Sequence, residues 1–178
     1  KNRGIFEIAE AMTKVESPMR LNLCGQFKEP DLEKKKHEMP GWDHVDFHGY
    51  LSRKAVCEVL GRSVAGLVTL HPTINYLDSL PVKLFEYMSA SVPVIASNFP
   101  LWHEIVEGNE CGLLVDPLNP SEIAQAIDRI ARNPDQARRM GENGRKAVEE
   151  RYNWGIEEGK LLAMYEKVMK AGSGKNLS

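Results

Sequence analysis

The chain has 178 residues, of which 42% are hydrophobic, and a formal net charge of −2 at neutral pH. This length allows one α/β core with a helical appendage, and the charge, without a basic run that has interleaved aromatic residues, argues against a nucleic-acid partner. No apolar stretch approaches the ~18–20 residues of a membrane span and no secretory leader is evident, so we expect a cytoplasmic protein. The cysteines, Cys24, Cys57 and Cys111, lack metal-site spacing and are expected to be reduced, mostly buried thiols.

The hydrophobic pattern predicts short strands that alternate with helices. In the first half we expect a helix over about 4–15, a strand from about 20, a solvated helix or loop over 30–39, a strand over 45–49, a helix over 52–62 capped by Ser52, and a strand over 66–70. In the second half we expect a loop over 71–78, a helix that Pro93 ends, a strand to 97, a helix over 100–107, a strand over 112–115, and helices near 120–132, 135–151 and 155–170. Residues 171–178 are expected to form a disordered tail. Because the sequence opens in a helical pattern without an initiating Met, we expect a further segment to precede it.

This alternation predicts a parallel sheet covered by helices on both faces. Ligands of such sheets bind at the carboxyl ends of the strands, where loops lead into helix N-termini. Three loops begin at such strand ends in this sequence: 71–79, GYLSR after the strand near 45–48, and SNFP after the strand that ends at 97. We expect these loops to converge on one crevice.

The stretch DSLPVKLFEYMSASVPVIAS, residues 78–97, carries the strongest functional signal. Ser79 is a suitable N-cap for its helix, and Pro81 fits the first turn, where no N–H is required. Lys83 in the first turn opposes the helix dipole, and its place before Glu86 is the poorer order for a helical ion pair. Both features become favourable if an anion binds at this N-terminus, since Lys83 and Glu86 share one stripe. We therefore expect phosphate near Lys83 and ligand hydroxyls on Glu86; the alternatives are that both are merely solvated or pair with each other.

Several stretches resemble, in the same order, the C-terminal, donor-nucleotide-binding domain of retaining GT-B glycosyltransferases of the Glu-x7-Glu type (group 1, family 4). They are VDFHGYLSR, GLVTLHP, LPVKLFEYMSASVPVIAS, HEIVEGNECGLLVDPLNPSEIAQAI and the helix after RYNW. The resemblance implies a Rossmann-like α/β domain over residues 1–170, with helices on both faces of a parallel sheet, as one half of a GT-B fold.

The resemblance also implies two acidic site residues that take part in catalysis. Glu86 occupies the place of the second Glu of the motif, which binds the ribose hydroxyls of the sugar nucleotide. Asp78 occupies the place of the first, which contacts the donor sugar, and it departs from the family by being one methylene shorter.

Further donor-binding positions follow from the same resemblance. Arg3 stands where the family has a Lys on the diphosphate, and Arg is a good bidentate phosphate ligand. Ser79 and Leu80 match a segment whose backbone N–H groups face the phosphate and sugar, and Tyr50 and Leu51 match the loop that borders the base.

The activity implied is transfer of a glycosyl group from a nucleotide-diphosphate sugar, with retention of configuration and without a metal or other cofactor. The bulky residues of SLPVKLFEYM resemble a subgroup associated with cell-surface polysaccharide assembly. The acceptor, a glycan or lipid-linked sugar, would be held by an N-terminal domain that these residues do not include, and the full-length protein would associate peripherally with the membrane. We therefore expect the isolated domain to bind donor without completing transfer, and the apolar stripe of its last helix to be partly exposed.

Other interpretations remain open at the level of sequence. One is a non-catalytic sugar-nucleotide-binding module, or a sugar-nucleotide epimerase of the same architecture. Another is a flavodoxin- or receiver-like interaction domain, which would leave Lys83 and Glu86 unexplained. His44, Asp46 and His48 alternate along a strand, which is weak evidence for a metal site because the spacing is ordinary. His71 and His103 lie near the predicted crevice, and neither has an acidic partner that the sequence identifies.

Overall fold

A computed structural model describes residues 3–27 and 30–173 of the chain. Its helices are α1 (Ile5–Met12), α2 (Pro30–Lys35), α3 (Arg53–Leu60), α4 (Ile74–Leu77), α5 (Val82–Ser89), α6 (Pro100–Val106), α7 (Pro120–Arg132), α8 (Pro134–Glu150) and α9 (Trp154–Ser173). Its strands are β1 (Leu21–Cys24), β2 (Val45–Gly49), β3 (Gly66–Val68), β4 (Val94–Ser97) and β5 (Gly112–Val115), and short 3-10 turns cover Lys36–Glu38 and Trp42–His44. The predicted alternation of strands and helices is confirmed.

All strand pairs are parallel, but the strands form two sheets. One sheet contains β1 and β2, and the other has the order β3-β4-β5. The sequence predicted a single sheet. The structure has two sheets instead, because a cleft separates β1 from β3 and no strand of the described residues fills it. The Rossmann-like α/β class is unaffected, because helices still cover both faces.

The core lies on both faces of the central strand β4, each residue of which is buried. Val94 and Ala96 pack with α5, α6 and α8, whereas Ile95 packs with α1 and α7. This alternation follows from the period of two along a strand. A third, smaller cluster joins α1 to β1 and β2 around Trp42, so α1 contacts both sheets.

The start of helix α5 differs from the prediction. Pro81, not Ser79, is the N-cap, because its backbone is extended, with φ −71° and ψ 130°. The Ser79 hydroxyl instead donates to the Tyr76 carbonyl at 3.1 Å, within the turn that ends α4. The predicted loop 71–78 contains this short helix, whose four residues are too few to give a periodic signal. By contrast, Ser52 caps α3 as predicted, accepting a hydrogen bond from the Ala55 amide at 3.3 Å.

The three cysteines differ in their burial. Cys111 is buried and burial raises the pKa of its thiol to about 11, but Cys57 is exposed, so the prediction of mostly buried thiols is wrong for Cys57.

The apolar stripe of α9 is exposed as expected. Leu161 is the least exposed residue of this stripe, and 40% of its surface is still exposed. The predicted tail lies outside the described residues from 174 onward, and 171–173 belong to α9. Over the described ranges, every helix is too short or too polar to cross a membrane.

Candidate functional site

The N-terminus of α1 lies against the carboxyl end of β3. Gly4 precedes the helix with φ 71°, and a Cβ at this position would lie 2.1 Å from the Thr69 carbonyl oxygen. Only glycine accepts both this backbone conformation and such a close approach. Among the residues that the structure describes, no side chain caps this helix, so its first amides are available at the strand end, where parallel sheets bind ligands.

A second helix N-terminus, that of α5, also lacks a side-chain cap. Its N-cap is Pro81, which has no N–H, and the Leu84 amide makes the first bond of the helix, to the Pro81 carbonyl at 3.0 Å. The amides of Val82 and Lys83 precede that bond. They add their partial positive charge to that of the helix dipole, which favours an anion there.

Arg3, Lys83 and Glu86 come together as predicted, along the wall of the cleft, which has a volume of about 1410 Å³. All three side chains are exposed. Partial desolvation of its ammonium lowers the pKa of Lys83, the charge of Arg3 lowers it further, and Glu86 acts in the opposite direction. Within the described part of the chain, neither cation forms an ion pair with a carboxylate. Arg3 and Lys83 outnumber the carboxylate of Glu86 on this wall, which is therefore electropositive.

Three buried polar atoms lie near the start of α1. Glu7 Oε2 and His71 Nε2 are 3.1 Å apart, so the histidine that lacked an acidic partner in the sequence has one in space. Apart from this contact, Glu7 Oε2 and His71 Nε2 make no hydrogen bond to another described residue, and the hydroxyl of Thr69, a residue only 1% exposed, makes none. Buried polar atoms without partners are rare in proteins and often mark where a ligand or water binds. No pattern in the sequence indicated this pair, because Glu7 lies in α1 and His71 in the loop after β3.

The remaining predicted residues do not line the cleft. Asp78 is exposed at the C-terminus of α4, and Leu80 is 51% exposed beside it. Ser79 is half-buried, and its amide donates to Tyr76 at 3.2 Å. Its carbonyl accepts a hydrogen bond of 2.8 Å from the indole of the buried Trp102 on α6, which fixes the loop ahead of α5.

The predicted base-bordering loop lies elsewhere on the surface. Tyr50 is 79% exposed directly after β2, and Leu51 is half-buried. Neither residue contacts the cleft wall that carries Arg3 and Lys83. Their assigned role in bordering the base therefore stays a prediction.

The alternating residues on β2 are occupied by neighbours. Asp46 accepts hydrogen bonds from Nε and Nη2 of the Arg20 guanidinium, which holds the pKa of that carboxyl below its usual range. His48 contacts the Asn22 side chain at 2.8 Å. Among the residues that the structure describes, no group of three His, Cys, Asp or Glu side chains could hold a metal ion.

The chemistry of this site follows from its charges. Two cations and two uncapped helix N-termini are suited to a diphosphate, whose oxygens need positive charge and N–H donors. Glu86 follows Lys83 by three residues in α5, and its carboxylate can accept hydrogen bonds from hydroxyl groups. Such a set can bind a nucleotide and stabilise a diphosphate as it leaves.

Comparison with solved structures defines the fold class. Sucrose-phosphate synthase from Thermosynechococcus elongatus superposes with a TM-score of 0.80 over 96% of the chain and 43% of the synthase, at 26% identity. The Anabaena protein HepE, solved in complex with UDP, superposes with a TM-score of 0.79 over 93% of the chain and 46% of HepE, at 17% identity. The chain thus has the α/β fold of one half of a GT-B enzyme.

Sequence comparison gives the family. The model of the family "Glycosyl transferases group 1" matches residues 1–147, and the chain belongs to that family. It is 29% identical over 172 residues to the MMP alpha-(1->4)-mannosyltransferase of Mycolicibacterium hassiacum, a match that covers 94% of the chain but 40% of that relative. The chain therefore spans less than half the length of these relatives. The interpretation as a flavodoxin- or receiver-like domain is excluded.

Proposed function

We propose that the chain is the C-terminal, donor-binding domain of a retaining glycosyltransferase and binds a nucleotide-diphosphate sugar at the start of α1 and α5. The observation that carries this proposal is the group formed by Arg3, Lys83 and Glu86 beside two uncapped helix N-termini. Membership of the family supports it, as does the UDP bound by HepE, a protein of the same fold.

In this proposal each side chain has one task. Arg3 and Lys83 bind the diphosphate and, with the dipole of α5, stabilise the charge that develops on it when the glycosyl bond breaks. Glu86 accepts hydrogen bonds from the ribose hydroxyls, and Asp78 contacts the donor sugar. The second carboxylate reaches the sugar only if the ligand extends out of the cleft, because Asp78 lies on the exposed loop beside α5.

The acceptor side of the reaction lies outside these residues. In our proposal a further domain of the same protein holds an acceptor glycan or lipid-linked sugar against the anomeric carbon, and the product belongs to cell-surface polysaccharide. The relatives support this division, since each is more than twice as long as the matched region. Peripheral association with the membrane and a cytoplasmic location of the full-length protein are part of the same proposal.

A thermal-shift panel of UDP, GDP, ADP and CDP tests the proposal. Ligand at ~100 times its Kd stabilises a fold by about 2.7 kcal/mol, which raises the Tm of a domain of this size by roughly 5–10 °C. We expect one base to produce this shift and Glu86→Gln to remove most of it. Glu142→Gln, an exposed carboxylate on α8, is the matched control. Failure of all four nucleotides at millimolar concentration, or equal shifts for both variants, would contradict the proposal.

A further inference from the structure

The chain that leaves β3 alternates between the two faces of its sheet. Leu70 packs with the core cluster of α5, α6 and α8, so Thr69 and His71 lie on the opposite face, toward α1. Two contacts agree with this placement: a Cβ on Gly4 would lie 2.8 Å from the Thr69 hydroxyl oxygen, and His71 Nε2 lies 3.1 Å from Glu7 Oε2. Both side chains therefore lie beside the first turn of α1.

The position of His71 is fixed by its neighbours in the chain and in the sheet. The Ser97 hydroxyl of β4 donates to the Leu70 carbonyl at 2.7 Å, and the Thr73 amide donates to the His71 carbonyl, also at 2.7 Å. Only 22% of the His71 side chain is exposed, and the same fraction of Glu7. Such support is typical of residues that bind a ligand in one defined orientation.

The polar atoms of this group lack partners. Within the described residues, the polar contact of His71 Nε2 is the one with Glu7, and the hydroxyl of Thr69, which is 1% exposed, makes no hydrogen bond. The other ring nitrogen of His71, Nδ1, is not among the buried atoms and also makes no hydrogen bond to these residues. Buried polar groups are rarely left unpaired, and Nδ1 is open to a ligand at the start of α1.

The charge of Glu7 decides which contact His71 can make with a ligand. Helical side chains point toward the N-terminus, so the Glu7 carboxylate lies close to the first amides of α1 and repels an anion bound to them. A neutral imidazole that donates Nε2–H to Glu7 keeps a lone pair on Nδ1, which also repels a phosphate oxygen. An imidazolium removes both conflicts, because it donates from both nitrogens and lies between the two anions.

Other charged side chains lie at the same edge of the sheet, ahead of α1, at the end of α4 and on α5. They are Arg3, Asp78, Lys83 and Glu86. Among the described residues, the structure shows an ion-pair contact of His71 with Glu7 alone. A bound diphosphate would bring further negative charge to this edge, and negative charge favours protonation of a nearby imidazole.

We propose that His71 is a further binding residue of the diphosphate site, which as an imidazolium donates from Nδ1 to a phosphate oxygen, and that Glu7 is the positioning residue that holds Nε2. This inference rests on the proposed binding of a nucleoside diphosphate at the start of α1 and α5. It adds a third cation to Arg3 and Lys83, and the proton for this cation is taken up from solution when the ligand binds.

Calorimetric titration of the parent chain and of His71→Gln tests the inference. The probe is the one of UDP, GDP, ADP and CDP that stabilises the parent chain most. Gln can still donate to Glu7 but has no group in the place of Nδ1. Each titration is done at about pH 7.5, where an ordinary imidazole is mostly neutral, in two buffers of different ionisation enthalpy, which measures proton uptake. The terminal phosphate of the probe titrates at about pH 6 and contributes equally to both chains. His44→Gln, exposed before the amino end of β2, is the matched control.

We expect His71→Gln to keep the Tm of the parent chain without ligand, to bind the nucleotide about 10-fold more weakly and to take up roughly half a proton less per bound nucleotide. The loss caused by His71→Gln should be at least ~3-fold smaller in a Glu7→Gln background, because the two side chains act as a unit. In the parent chain, the NMR signals of both ring nitrogens of His71 should move to imidazolium positions when nucleotide is added.

Equal proton uptake by the parent chain and His71→Gln, with nucleotide bound by both, would overturn this inference and leave the proposed function intact. A lower Tm with unchanged affinity would assign Glu7 and His71 to the fold alone and would also overturn it. If His71→Gln does not fold, unchanged ring-nitrogen signals in the nucleotide-bound parent chain would have the same meaning. Failure of the parent chain to bind any of the four nucleotides would overturn the proposed function, and this inference with it.

Discussion

At the scale of single residues, Lys83 shows how this site is built for a ligand. Its ammonium is partly desolvated and lies near the like charge of Arg3, and both effects lower its pKa. In the folded chain without ligand, this positive charge is therefore less favourable than in water. A bound diphosphate would reverse the effect, because the nearest charges would then be negative.

The Lys83→Met variant separates stability from binding. We expect its Tm without ligand to equal or exceed that of the parent chain, because an unpaired and partly desolvated charge is removed. Nucleotide affinity should fall by about 10- to 100-fold, as expected for loss of a charge-assisted hydrogen bond. Thermal unfolding and calorimetric titration measure the two effects, with Lys167→Met on the exposed face of α9 as control. A lower Tm together with unchanged affinity would identify Lys83 as a structural residue.

Asp78 is the position where this sequence departs from the Glu-x7-Glu pattern. Its shorter side chain and its place on an exposed loop favour a water-bridged contact with the donor sugar. We expect Asp78→Asn to weaken binding of the matching sugar nucleotide by about 5-fold, or ~1 kcal/mol, and to leave the free nucleoside diphosphate unaffected. Titration with both ligands, beside an Asp43→Asn control, tests this difference. Equal losses for both ligands would place Asp78 at the nucleotide end instead.

At the scale of secondary-structure elements, a buried carboxylate joins α7 to the connection between α1 and β1. Asp128 accepts hydrogen bonds from the Glu16 and Ser17 amides at 3.0 and 2.8 Å. Burial acts to raise the pKa of Asp128, but these hydrogen bonds and Arg132 outweigh it and lower the pKa below 3.8. The carboxylate therefore stabilises the fold in its charged form.

The Asp128→Ala variant should unfold earlier, because two amides lose their acceptor. We expect a loss of about 1–3 kcal/mol at neutral pH, or roughly 2–4 °C of Tm for each kcal/mol. Because the pKa is lowered on folding, this contribution is complete above about pH 5, where the unfolded carboxyl is also charged, and disappears as the pH falls through the folded-state pKa. Tm measured from pH 3 to pH 7 checks both statements. Asp135→Ala, an exposed carboxylate on α8, is the control, and a pH-independent loss would contradict the assignment.

Some helix starts could be predicted from the sequence, and others could not. Ser52 was predicted to cap α3, and it does, because a polar residue directly before a periodic apolar run has one obvious function. Ser79 has the same chemistry, but Pro81 keeps an extended backbone, so α5 begins at Val82. The contact between Glu7 and His71 joins residues that are far apart in the sequence, and only the tertiary fold brings them together.

At the scale of the whole molecule, the parallel topology was predictable but the division into two sheets was not. Alternating strands and helices identify an α/β domain, whatever the order of its strands. The gap between β1 and β3 depends on which strand is adjacent to which, and apolar runs such as LNLC and GLV carry no such information. Lys83 and Glu86 were assigned from the helix pattern and Arg3 from the resemblance to the family, and the structure brings the three residues to one wall of the cleft, while their roles stay predictions.

At the scale of the whole molecule we also predict that the chain alone does not transfer sugar. The cleft wall that carries Lys83 and Glu86 is exposed, and the chain covers only 40% of its mannosyltransferase relative. We therefore expect residues 1–178 to bind donor without transferring sugar to any acceptor glycan or lipid-linked sugar. Release of nucleoside diphosphate from a sugar nucleotide, measured with and without acceptor, is the assay. Acceptor-dependent release by this chain would show that no further domain is required.

The central claim is that a nucleoside diphosphate binds between the N-termini of α1 and α5. Titration of the isotope-labelled chain with the nucleotide that stabilises it most, followed by amide NMR shifts, tests this claim directly. We predict that the largest shifts occur at the amides of Ile5, Val82 and Lys83. In Glu86→Gln the same shifts should require a nucleotide concentration about 10- to 100-fold higher. Shifts confined to another face of the molecule, or identical titrations for the parent chain and Glu86→Gln, would contradict it.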